Sequence, residues 1–191
     1  MSAFEEYRER FRELYEAVKR LHEISPRPHQ GHGLDHDVTV AALAIWLAPD
    51  ARSAELAFCA SMLHSVDRIV EEKFVRDVIV AHLEYLPEGH FAPEELDDIF
   101  ESVMRHEKPR NDDSLTQQVL MDADRLANIM LSGALRAAQW VYDRPTVEFA
   151  YLDGKRNPAT TWNSPCSALD CVRITYEMLH PMRTPRGRDL A

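Results

Sequence analysis

Glycine is scarce in this chain: six residues in 191, against many Leu, Ala, Glu and Arg. No series of alternating polar and apolar residues accompanies them, so nothing argues for a sheet protein built on tight turns. The three cysteines, Cys59, Cys166 and Cys171, are odd in number and lack Cys-x-x-Cys spacing. That excludes a disulfide-stapled scaffold and a cysteine-ligated zinc module, and Cys59, in an apolar stretch, reads as a small core residue. No apolar run nears the roughly 20 residues that span a bilayer. The start, Met1-Ser2-Ala3-Phe4-Glu5-Glu6, is acidic rather than basic-then-apolar, so no membrane partner is expected and the cytoplasm is the expected location. Basic charge is also short: 22 Lys and Arg face 32 Asp and Glu, a net charge of -10, and only Arg183 to Arg188 forms a basic cluster. A duplex nucleic acid is therefore not an expected partner. A small anionic substrate stays open, because a bound metal reverses the sign of the local field. P-loop, dinucleotide fingerprint and nucleophile elbow are all missing.

What is present is ordinary globular composition, 45% hydrophobic and 28% charged, on a length suited to one core. Residues 1–191 read as one domain. Phe4, Tyr7, Phe11, Leu14, Tyr15, Val18 and Leu21 follow the three-four spacing of one amphipathic helix that stops near Ser25-Pro26. After the polar loop from His29 to Gly33, further helices are predicted over about Asp35–Leu47, Ser53–Ser65 and Ile69–Tyr85. Asp35 is the candidate N-cap of the first of these. Another helix starts at Pro93 and ends near His106, and one capped by Ser114 runs to about Tyr142. Val147 to Leu152 reads as loop, and a last helix spans about Pro165 to Leu179. The prolines and charges from Pro181 to Ala191 mark a candidate disordered tail. The expected fold is all-α.

The chemistry-bearing residues come in a fixed order. His36 follows Gly31-His32-Gly33-Leu34-Asp35, His64 sits in Ala60-Ser61-Met62-Leu63-His64-Ser65-Val66-Asp67-Arg68, and Asp124 sits in Met121-Asp122-Ala123-Asp124-Arg125-Leu126. Taken singly, a histidine on an apolar face is usually a hydrogen-bonded core residue, and Asp-x-Asp is usually a capping pair. Taken together, two imidazoles and a carboxylate form a donor set that suits Mn, Fe, Co, Ni or Zn.

This order resembles the HD superfamily of metal-dependent phosphohydrolases, most closely its small bacterial members. Those carry a Gly-His-x-x-x-His element, a Leu-His-Asp doublet and a later Asp-Ala-Asp-Arg-Leu element. The match runs from about Gly31 to Ile129 and, more faintly, through Met182-Arg183-Thr184. It implies a single-domain HD-type helical bundle in which His36, His64 and Asp124 hold a divalent transition metal. It also implies that His106, in Met-Arg-His-Glu, lies near substrate. The chain departs from the family at Ser65, which replaces the doublet aspartate and removes one anionic oxygen. Asp67, Asp35 and Asp122 are the candidates to replace it; Asp67, three residues after His64, lies on nearly the same helix face.

The function the resemblance implies is metal-dependent hydrolysis of a nucleotide or other small phosphoester. Asp67 would orient or deprotonate the water, and His106 or Arg125 would stabilise developing charge. The alternative of another class is a degenerate domain that binds a ligand or partner without catalysis, as Ser65 suggests. Oxygen activation at iron is a third. His82 and His90 are weaker candidates for extending the site, and Arg68 for holding phosphate. Lys108 and Arg110 read as a solvated loop, and Trp46, Trp140 and Trp162 as core.

Overall fold

The computed structural model describes residues 2–25, 32–130, 133, 135, 141–147, 159–160, 164–177 and 181–190. These contain α-helices and no strand. The elements are α1 (Ala3–Arg10), α2 (Arg12–Ile24), α3 (Leu34–Leu47), α4 (Ala51–Leu63), α5 (Val66–Ile69) and α6 (Glu72–Leu83), followed by α7 (Pro93–Arg105), α8 (Leu115–Ile129), α9 (Ala168–Glu177) and α10 (Pro185–Arg188).

Local chemistry explains most boundaries. Asp50 caps α4 by accepting the Ser53 N–H at 2.9 Å, and Ser114 caps α8 by accepting that of Gln117 at 3.1 Å, as side-chain oxygens do at helix starts. Pro93 opens α7, where Glu95 reaches back to the Ala92 N–H at 2.8 Å. At the start of α3 the cap is Gly33, so Asp35 belongs to the first turn instead.

The structure departs from the spacing in three places. The single helix expected from Phe4 to Leu21 breaks at Phe11 (φ -110°, ψ 38°). There the buried ring stacks on Phe58 at 5.7 Å and Phe91 at 5.8 Å, while Arg10 turns to Glu55 on α4. The helix expected from Ile69 starts at Glu72 instead, because Val70 is extended (ψ 164°) between the short α5 and α6. The helix carrying Asp124 ends at extended Met130 (ψ 164°) instead of continuing towards Tyr142. The segment from 148 to 152 and Trp140 and Trp162 lie outside the described residues. Trp46 is corrected: it is 44% exposed rather than core.

The core is formed where α3, α4 and α8 meet. Ala41 and Ala44 on α3, Ala57 and Ala60 on α4, and Ala123 on α8 are all fully buried. Small side chains let these helices approach closely, and Phe11, Leu14, Phe58 and Leu120 close the core around them. One consequence is positional: the start of α3, the end of α4 and the middle of α8 converge. The C-terminal segment is docked rather than loose. Thr184 caps α10, Arg183 reaches Asp113 and the Arg110 carbonyl, and Arg186 reaches the Trp46 carbonyl. No helix among the described residues is long and apolar enough to cross a membrane.

Candidate metal centre

His36 in the first turn of α3, His64 at the end of α4 and Asp124 on α8 meet at that convergence. His36 Nε2 lies 3.1 Å from Asp124 Oδ1 and 3.2 Å from His64 Nε2. His64 Nε2 is 3.9 Å from the same Asp124 oxygen. Both histidines are 2% exposed, and the Asp124 side chain keeps 24% of its surface. His64 Nδ1 donates to the Ser61 carbonyl at 2.6 Å. That bond fixes the tautomer, leaving the Nε2 lone pair directed at the other two donors. The three donor atoms lie within 4.8 Å of one another and could hold a metal ion. The donor chemistry fits: two imidazole nitrogens and a carboxylate oxygen suit a divalent transition ion. Burial alone would raise Asp124, but the His36 hydrogen bond and the neighbouring His36, His64 and His106 hold its carboxyl far below the ordinary range.

Two more histidines flank the cluster. The His106 ring is 5.6 Å from that of His64, edge on, and its Nδ1 donates to the Val103 carbonyl at 2.7 Å. Burial, then His64, lowers its pKa. His32, noted in the sequence only as part of the Gly-His-x-x-x-His element, stands 5.0 Å from His36. Burial, then His36 and His64, push it down to about 3. Among the described residues its Nδ1 is buried without a hydrogen-bond partner.

Beside His64 opens a small cavity of about 100 Å³, lined by Asp67, His106, Lys108, Val75, Ile79 and their neighbours. Asp67 and His106 are thus brought together as expected, and Asp67 Oδ1 has no hydrogen-bond partner among the described residues. Lys108 is exposed, as read for a solvated loop, and also lines the cavity. Arg125 points away: its guanidinium donates to the Pro181 carbonyl at 3.2 Å and lies 3.5 Å from Asp122. Arg68 pairs with Asp67 and Glu107. His82 bonds the Val78 carbonyl on α6, and His90 sits with Arg52, Glu55 and Phe91, so neither extends the cluster.

Ser65 is met by Asp37, a residue the sequence did not single out. Ser65 Oγ donates to Asp37 Oδ1 at 2.5 Å. Asp35 is exposed, and Asp122 is occupied, accepting the backbone N–H groups of Arg183 at 2.9 Å and Thr184 at 2.7 Å. A signal for Asp37 did exist. It lies three, four and seven residues before Val40, Ala41 and Ala44, on the buried face of α3.

No protein-family model and no curated protein matches the chain. A crystal structure of a Lactobacillus plantarum protein, solved as a structural-genomics target, superposes with a TM-score of 0.68 at 21% identity. The match covers 95% of this chain and 88% of that one. At this identity the likeness establishes the fold, a single all-α domain.

Proposed function

We propose that this chain is a metal-dependent phosphohydrolase of HD type, acting on a nucleotide or other small phosphoester. The supporting observation is the convergence of His36, His64 and Asp124 from three helices beside a cavity holding an acid, a histidine and a lysine. His36, His64 and Asp124 would hold a divalent cation, which would supply Lewis-acid polarisation of a phosphoryl oxygen and a more acidic water. Asp67, with its unpartnered oxygen, orients that water or takes its proton.

The role assigned to His106 changes with its geometry. Its Nδ1–H is committed to the Val103 carbonyl, and burial, then His64, disfavours the protonated ring. Its Nε2 then carries the lone pair, suited to accepting a proton rather than stabilising negative charge. Lys108 and Arg105 are cations of the cavity lining, and they take the charge-stabilising role in place of Arg125.

The test is elemental analysis of protein purified without added metal or a metal-affinity step, with His64→Ala in parallel, followed by a phosphoester screen. The expected result is near-stoichiometric metal that is lost in the variant, and hydrolysis that stops on chelation. Hydrolysis at an unchanged rate after the metal is stripped would overturn the proposal. Metal binding with no turnover of any phosphoester would favour the second reading, a ligand-binding domain without catalysis, which the hydroxyl at Ser65 supports.

A further inference from the structure

We infer that the doublet carboxylate has been divided between two residues: Ser65 presents the oxygen and Asp37, from α3, supplies the charge. This Asp37–Ser65 pair completes the donor set around His36, His64 and Asp124, and the inference rests on the metal reading above.

The geometry carries it in three steps. Ser65 Oγ gives its proton to Asp37 Oδ1 at 2.5 Å and lies 3.4 Å from His64 Nε2, the nitrogen that faces His36 and Asp124. The second oxygen of Asp37 is held by His22 Nε2 at 2.7 Å, which fixes the carboxylate from the far side. A hydroxyl whose proton is held by a carboxylate is a more basic oxygen than a free serine, and outer-shell carboxylates orient ligands in this way.

Burial supplies the reason such a charge would be kept. Asp37 is 1% exposed, and among the described residues its partners are Ser65, His22 and His64, with no Lys or Arg. A carboxylate so enclosed, with imidazoles but no Lys or Arg against it, is costly to bury. A divalent ion at the adjacent cluster would offset that cost. The same packing accounts for serine at position 65: an aspartate there would meet the Asp37 carboxylate across a buried contact.

The experiment is a cobalt(II) titration of metal-stripped protein, followed by visible absorption, with folding checked by far-UV circular dichroism. Asp37→Asn and Ser65→Ala are each expected to lower affinity about tenfold or more, with the fold retained. Ser65→Asp alone is expected to bind more weakly than the parent chain, because two buried carboxylates then oppose each other. The exchange, Asp37→Ser with Ser65→Asp, is expected to return affinity to within about threefold of the parent. It also decides the matter if Asp37→Asn does not fold. Asp37→Asn and Ser65→Ala both binding cobalt as tightly as the parent would overturn the inference while leaving the metal reading intact, as would a folded exchange variant that binds none. A parent chain that binds no cobalt would overturn both.

Discussion

Asp122→Ala removes the acceptor that ties the C-terminal segment to α8. Asp122 is fully buried; its Oδ2 takes the Arg183 and Thr184 N–H groups at 2.9 and 2.7 Å, and its Oδ1 faces the Arg125 guanidinium at 3.5 Å. Stranding a buried donor costs about 1–3 kcal/mol, so two stranded amides cost about 4 kcal/mol. In a chain of this size 1 kcal/mol moves the melting temperature by about 2–4 °C. A drop of about 8–16 °C is therefore expected by circular dichroism or calorimetry, and Asp122→Asn, which keeps one carbonyl acceptor, should fall by about half of that. If the segment undocks before the rest unfolds, the melting shift is smaller. Trypsin then cuts within Arg183 to Arg188 at a faster rate than in the parent. A variant melting within about 3 °C of the parent, with the tail still protected, would refute the assignment of Asp122 as the anchor.

Two further outcomes are expected. Burial alone would raise Glu55, but hydrogen bonds from Arg52, His90 and Arg10 hold its carboxyl below the ordinary value. Its contribution is thus present above about pH 4.5 and lost as pH falls through the depressed pKa. Melting temperatures measured from pH 6 to 3 should fall less steeply in Glu55→Gln, and parallel curves would remove Glu55 from the acid response. His106→Gln should lower turnover on any phosphoester substrate by about 10²–10⁴ with metal affinity within about threefold. A collapse of metal affinity instead would make His106 a ligand.

The helices were legible because their apolar faces repeat at three and four residues and two of their starts are chemically marked, at Pro93 and Ser114. The breaks at Phe11 and Val70 were not, because neither position carries glycine or proline. The Phe11 break follows from a ring stacked on Phe58 and Phe91, contacts separated by dozens of residues in sequence. The docked tail was missed for the same reason: the residue that anchors it, Asp122, reads in sequence as half of a solvated or capping pair. The three convergent donors were legible only as an ordered set with their flanks, since each taken singly reads as a core or capping residue. Arg125 was misdirected, since chain proximity to Asp124 says nothing about which side of α8 its long side chain takes.

Asp37 shows where local sequence reasoning about a site reaches its limit. A search for a replacement carboxylate near Ser65 in the chain leads to Asp67, three residues from His64 on one helix. The carboxylate that meets Ser65 comes from another helix, one residue after His36, because Ala41 and Ala44 bring α3 close to the Ala57 and Ala60 face of α4. With that spacing fixed, an acid on either helix reaches the same point, and only one of the two positions can carry it without placing like charges in contact. Serine at one position and aspartate at the other are therefore one linked choice. Substituting either alone should be more damaging than exchanging them, a non-additivity expected of residues in direct contact.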